Sequence, residues 1–443
     1  MAPKYDLTRG IANSESIKRV APIFYEALLA AREKYGDLSP EDIIHNYSAG
    51  TKVTLSGFGP LKETIAGWHK TTPDSVYITN GGMDANSKVL DAMRIRRALD
   101  GGGIDRPVIL ADRFMYDRML QELVNQQFLV LGIPFDGKGP NPAKLEELIV
   151  KHHPIGVSTQ PGANNPTGLE YSRARLTEIA DMCVKSSIPI LIDDAYQNAS
   201  LGIHGTAPSA PIDISAAEYK TTIVTKNTTK ELLPGLKIGY IACSPTSSLT
   251  GLLTKNVGPN SLLNGHYPIQ AAWLEMIGSK EYENHIAWAN SNIHEPRGHA
   301  VNDMLRANFS EHFSYGAPPG GFFTLLWIKG ADSNKIDEIV KGAATYEQGV
   351  ALLGGIGGIA PWSIHQQPKL DSVTGLISPT SDHGDHVIEI MGGAPLRLAF
   401  NHAPSIDALN TALGYMKDVV GHVMNNQPVP KSGSQNITLI MNP

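Results

Sequence analysis

Several short segments of this chain hold side chains able to do chemistry. Asn80-Gly81-Gly82 stands between a strand-like and a helix-like stretch. Asn164-Asn165-Pro166-Thr167-Gly168, Asp193-Asp194-Ala195-Tyr196 and Thr228-Thr229-Lys230 each follow an apolar run, Pro234-Gly235-Leu236-Lys237-Ile238-Gly239-Tyr240 comes next, and Arg397 lies in a late apolar stretch. Backbone N–H groups at Gly81, Gly82 and Met83 would open a helix, which makes a phosphate site or simply a tight strand-to-helix turn. Asn-Pro-Thr-Gly is a turn sequence in its own right. Asp193 can pair with a cation or cap the next segment. Lys230 is a nucleophile if desolvated and an ordinary surface lysine if not. Arg397 can grip a carboxylate through two parallel hydrogen bonds or serve a structural ion pair. Each has a structural explanation alone; the informative feature is their order. Asp193 lies 28 residues after Asn165, three before Tyr196 and 37 before Lys230.

The elements around these segments give the order its meaning. Strand-like runs at Ser75–Thr79, Pro107–Ala111, Phe128–Ile133, Ile155–Thr159, Pro189–Asp193, Thr221–Thr225 and Ile238–Cys243 alternate with helix-like stretches at Met83–Leu99, Tyr116–Gln126, Pro142–Lys151 and Arg173–Lys185. Apolar strands separated by amphipathic helices predict a mostly parallel sheet covered on both faces. Such sheets bind ligands at the carboxyl ends of their strands, where the first four segments fall. The texture changes near residue 280. A long helix over about Tyr282–Asn308 is predicted, then a strand at Gly321–Ile328, a helix near Ile336–Ala344, a strand at Pro395–Phe400 and a helix near Ile406–Val423. Gly354–His386 is rich in Gly, Pro, Ser and Asp and too long for a routine connection; it reads as a lid or a surface insertion.

Composition removes several function classes. The chain has 443 residues and a net charge of −6, so no basic surplus points to nucleic acid or an anionic membrane. Its two cysteines, Cys183 and Cys243, argue against a disulfide framework or a cysteine-based metal site, and no metal is expected. The first residues form no apolar signal region, and no run of about 18 apolar residues occurs, so a cytoplasmic protein that does not span a membrane is expected.

The ordered set resembles the fold-type I pyridoxal-phosphate enzymes, in particular the aminotransferase class I/II family, over about residues 40–420. The resemblance implies an α/β fold: a large domain at 51–284 with a mostly parallel sheet sandwiched by helices, and a smaller α+β domain from 1–50 and 285–443, with an insert near 354–386. It implies pyridoxal 5'-phosphate as cofactor. Lys230 would hold it as an imine and shuttle protons, Lys226 being the rival. Asp193 would pair with the ring nitrogen, since Asp194 points to the opposite strand face. Asn165 and Tyr196 would bond the ring 3-oxygen, and Tyr116 would stack on the ring. Gly81, Gly82, Met83, Asn227 and Lys237 would hold the phosphate; Lys237 replaces the family's arginine and lacks its fork. Tyr47 stands where a partner-chain tyrosine would reach the phosphate, although farther from Gly59-Pro60-Leu61 than is usual. Arg397 would clamp a substrate α-carboxylate and Gly10 would close over the substrate, with Arg9 beside it. His266, His365 and His402 are given no role.

The expected activity is amino transfer from an α-amino acid to a keto acid by a homodimer. A different reaction from the same carbanion (elimination, replacement, cyclisation or oxidation) is the alternative, because fold does not fix the carbanion's fate. A non-catalytic sensor on the same fold is a minor alternative, disfavoured because no DNA-binding segment precedes the fold.

Overall fold

The computed structural model describes residues 3–35, 53–54, 56–103, 105–199, 211–257, 267–308, 313–315, 321–354, 360–361, 363, 365–368 and 393–430. Tyr47, His266 and most of the 354–386 segment lie outside the described residues.

Seven strands form the large sheet: β1 (Val76–Thr79), β2 (Val108–Asp112), β3 (Leu129–Ile133), β4 (Val157–Thr159), β5 (Ile190–Asp194), β6 (Thr222–Asn227) and β7 (Gly239–Cys243). Their order is β1-β7-β6-β5-β4-β2-β3, with β7 antiparallel to both neighbours and all others parallel. The strands are short, mostly apolar and largely buried on both faces, as helix-covered parallel strands are. Ile190 and Ile192 enter one core and Leu191 the other, the period-two alternation of a strand sunk between two layers. Helix α1 (Ser14–Lys34) buries Val20, Phe24, Ala27 and Ala31 in the first core, together with Leu61 and Ile65 of α2 (Gly59–His69). The second core takes Val89, Leu90 and Met93 of α3 (Gly82–Leu99) and Leu120 and Leu123 of α4 (Asp117–Asn125). Helices α5 (Pro142–His152) and α6 (Arg173–Lys185) begin where the sequence asks: Asn141 and Ser172 accept from the N–H groups of Lys144 and Arg175, and proline opens α5. Helix α7 (Tyr267–Gly278) packs on α1.

A second antiparallel sheet pairs β8 (Phe323–Lys329) with β9 (Gly393–Ala399), flanked by short strands at Phe313–Tyr315 and Leu353–Gly354. Its core holds residues of helices α9 (Glu295–Asn308), α10 (Ser333–Thr345) and α11 (Ile406–Met424). The chain's start joins this unit through Tyr5–Asp6, which pairs with Val350–Ala351.

The long helix expected over Tyr282–Asn308 is instead α8 (Glu281–Ala289) and α9 joined by a π turn at Asn290–His294. The widened turn carries His294 inward, where its Nδ1 lies 2.8 Å from Asn401 Oδ1 and its ring stacks on Phe322. Within the 354–386 segment, the described residues Pro361 and Gln367 lie along the outer edge of β3. Gly132 N–H donates to Pro361 O at 2.7 Å, and Val130 N–H to Gln367 Oε1 at 2.9 Å. These bonds satisfy donors that an edge strand would otherwise leave unpaired. Among the described residues no helix is long and apolar enough to cross a membrane.

Candidate active site

The carboxyl ends of β4, β5 and β6 converge on one space below the second sheet. Lys230 follows β6 by one turn, which Thr228 fixes by donating N–H to Ile238 O at 3.0 Å. Its Nζ donates to Gly10 O and lies 5.5 Å from the centre of the Tyr196 ring. Burial, aided by the charge of Arg397, lowers the Lys230 ammonium to about 8. Asp193 ends the adjoining strand, in register with Thr225, and is 7% exposed. Its Oδ2 accepts from Asn86 Nδ2 at 3.3 Å and Gln160 Nε2 at 3.2 Å. Burial raises its carboxyl to about 6, and neutral amides only partly offset that cost.

The rival lysine faces the other way. Lys226 Nζ lies 3.3 Å from Asp194 Oδ2 and 3.0 Å from Glu231 Oε1, all three buried, and Tyr282 donates to the remaining oxygen of Glu231. Burial works against its charge, yet the two carboxylates hold its ammonium well above the usual range. A lysine so paired offers no free amine. The alternation along β6 puts Thr225 and Asn227 toward Asp193 and Lys226 toward Asp194.

The remaining residues gather around this pair. Asn165 is buried in the turn after β4, and its side chain hydrogen-bonds the Tyr196 hydroxyl. The Tyr196 ring packs against Phe322 and Phe323. Tyr116 immediately precedes α4, half-buried, close enough for the charges of Arg397 and Asp193 to act on its hydroxyl, whose pKa burial raises. Gly81 takes φ +96°, which glycine adopts without strain, and leads into α3. A Cβ on Gly82 would sit 3.0 Å from Asn227 Nδ2, so glycine permits this close approach. Met83 packs its side chain on the second core, leaving its backbone N–H for the cradle. Lys237 is exposed, and its charge helps hold the Lys230 pKa down. A Cβ on Gly10 would overlap the Phe323 ring.

Arg397 enters from the second sheet on β9, opposite Leu325 and Leu353. Its guanidinium lies 5.1 Å from the Phe323 ring centre and donates to Asn165 Oδ1 at 3.1 Å and Thr8 O at 2.6 Å. Arg9 instead pairs with Asp6 at 3.1 Å and is exposed.

Sequence reasoning missed three residues here. Asn86 lies one turn into α3, and its Oδ1 accepts from Thr225 at 2.5 Å. Gln160 directly follows β4. Asp112 ends β2 and accepts from Thr159, Gln160 N–H and Tyr171 at 2.8–2.9 Å. A polar residue closing a buried strand is the signal that could have found the last two.

The fold, with Lys230 and Asp193 near the ends of adjoining strands and Arg397 within β9, is that of an α/β protein with a mostly parallel sheet flanked by helices. The chain belongs to the aminotransferase class I and II family, whose model matches residues 49–355. It is 25% identical over 274 residues to the 2-aminoadipate transaminase of Thermus thermophilus, covering 62% of this chain and 64% of that protein. It is 24% identical over 274 residues to YisV of Bacillus subtilis (strain 168), an uncharacterized HTH-type transcriptional regulator, covering 60% of this chain and 52% of that protein. The matches thus span about half to two thirds of these relatives' length. Among solved structures it is similar in fold to LysN, the alpha-aminoadipate aminotransferase of Thermus thermophilus, complexed with N-(5'-phosphopyridoxyl)-L-leucine. The TM-score is 0.69 at 15% identity, over 95% of this chain and 93% of that one.

Proposed function

We propose that this protein is a pyridoxal 5'-phosphate-dependent aminotransferase that moves the amino group of an α-amino acid to a keto acid. We take it to work in the cytoplasm as a homodimer; of the units expected at 51–284 and at 1–50 with 285–443, the large one also takes in α1 (Ser14–Lys34), which packs in its first core against α7. The observation that carries the reading is the desolvated Lys230 close to Asp193 at adjoining strand ends, with Arg397 near Lys230 and bonded to Asn165. When bound, the cofactor supplies an electron-withdrawing ring and an aldehyde carbon that amino groups attack. The residues fit it. Gly82 leaves open a cradle beside Asn227 that a Cβ would fill, and buried Asp193 has no cation in contact among the described residues. The N–H groups of Gly81, Gly82 and Met83, with Asn227 and Lys237, would hold the phosphate. Asp193 would hold the protonated ring nitrogen, Asn165 and Tyr196 the 3-oxygen, Tyr116 the ring face and Lys230 the aldehyde carbon.

The chain's own groups divide the work. Lys230 Nζ would accept the substrate α-proton and hand it on to a second carbon, not back to the α-carbon, which needs a neutral amine at working pH. Arg397 holds the α-carboxylate, a task suited to a guanidinium whose Nε is buried without a partner among the described residues. Gly10 and Thr8 bring the N-terminal segment over both groups.

Two outcomes check these roles. Arg397→Ala should raise the Michaelis constant for amino acids about a hundredfold while the protein still takes up the cofactor, since a buried charge pair is lost. An unchanged constant would place the substrate carboxylate elsewhere. The rate at which the apoprotein captures pyridoxal phosphate should climb about tenfold per pH unit and level off above about pH 8, where Lys230 is neutral. A profile still rising at about pH 10, the range of a solvated lysine, would contradict the desolvated amine.

The function itself is tested by supplying L-amino acids and 2-oxo acids in pairs and detecting the new amino acid. Cofactor binding without turnover is the second reading, favoured by the likeness to the B. subtilis regulator. Uptake of the cofactor with no product from any pair would select it.

A further inference from the structure

Gln160 ties together two ends of the site that its neighbours serve separately. Its Nε2 donates to Asp193 Oδ2 at 3.2 Å, and its Oε1 accepts the Asn165 backbone N–H at 2.6 Å. Asn165 Oδ1 in turn accepts from Arg397 at 3.1 Å. One line of hydrogen bonds therefore runs from the substrate-side arginine through Asn165 and Gln160 to the cofactor-side carboxylate. The amide has one orientation here, because a reversed one would set its oxygen against the Asp193 carboxylate and its NH₂ against an N–H donor. The residue cannot drift, since its backbone N–H is held by Asp112 Oδ2 at 2.8 Å and its carbonyl accepts from Asn164 at 3.3 Å. Gln160 is 7% exposed, Asn165 3% and Asp193 7%, so water does not substitute readily for any link. Asn86 reaches Asp193 too, but its other bond goes to Thr225 and not toward Arg397.

Resting on the aminotransferase reading above, we propose that Gln160 is the positioning residue that sets Asp193 toward the cofactor ring and Asn165 toward Arg397 together. It touches neither substrate nor reacting atoms and acts through those two residues. Its loss should therefore be felt at both ends, whereas loss of Asn86 should be felt at the cofactor end alone.

The test uses Gln160→Met, which keeps length and loses both bonds, and Gln160→Asn, which stays polar but is one methylene too short. Either variant serves if the other fails to fold, as judged by circular dichroism. Equilibrium binding of pyridoxamine 5'-phosphate to the apoprotein is read by calorimetry, and turnover separately. The expected result is affinity about tenfold weaker, one lost hydrogen bond to a charged group, together with a lower kcat and a Michaelis constant for the amino acid about tenfold higher. Asn86→Ala should weaken pyridoxamine phosphate and lower kcat while the Michaelis constant stays within about twofold. Wild-type affinity in the Gln160 variants, or a Michaelis constant that does not move, would overturn the proposal. The wild type is the separate arm: if it neither binds pyridoxamine phosphate nor transfers amino groups, the aminotransferase reading fails, and the variants are not its cause.

Discussion

Lys230→Ala should abolish the visible absorbance of covalently held cofactor and cut amino transfer about 10⁴-fold, since nucleophile and proton carrier go together. The protein should still fold. Lys230 makes one described hydrogen bond, to the Gly10 carbonyl, and burial disfavours its charge, so alanine breaks no ion pair among the described residues. Lys226→Ala should behave oppositely. It strands Asp194 and Glu231 beneath the sheet without their cation and should destabilise the fold by about 3–5 kcal/mol, read by denaturant titration. Persistence of the absorbance in Lys230→Ala and its loss in a well-folded Lys226→Ala would exchange the roles.

Asp193→Asn should leave the fold intact and lower kcat about 10³-fold, the scale of a lost preorganised electrostatic partner. Asparagine has the same shape and can still accept from Asn86 or Gln160. What it lacks is the negative charge that keeps a ring nitrogen protonated. The wild-type carboxyl is lifted to about 6 by burial, so the site bears the cost of an unpaired anion until a cation arrives. The substitution removes that cost along with the function, so the variant should be no less stable than the wild type in thermal melts. Near-normal kcat would take Asp193 out of the mechanism.

Local pattern carried most of the fold. The strands of the large sheet are mostly apolar because both faces are covered, several turning polar toward their carboxyl ends, and α6 spans Arg173–Lys185 as its amphipathic period predicts. What pattern could not carry was partner choice. The π turn at Asn290–His294 exists because His294 meets Asn401, 107 residues away in sequence. The antiparallel sense of β7 depends on β1 and β6, not on its own residues. Pro361 and Gln367 of the Gly-rich segment prove to cover the β3 edge, a partnership no composition announces.

The same distinction holds at the site. Lys230, Asp193 and Asn165 stand at the ends of strands that any reading would draw, so their gathering was legible from order and spacing. Lys230 is preferred to Lys226 on the sequence, and the structure adds that Lys226 is paired with Asp194 and Glu231 on the other face of β6. Gln160 and Asn86 were silent because their meaning lies in hydrogen bonds to Asp193 from a different strand end and a different helix.

On the proposed function, Lys230, Asp193 and Arg397 act together in amino transfer. The most direct measurement is a single half-reaction: purified protein loaded with pyridoxal phosphate, L-amino acids added one at a time, no keto acid present. One donor class is expected to convert the visible absorbance to that of pyridoxamine phosphate, with one equivalent of 2-oxo acid released per site. Release of ammonia or a side-chain fragment without pyridoxamine phosphate would contradict it, as would a protein that never takes up the cofactor.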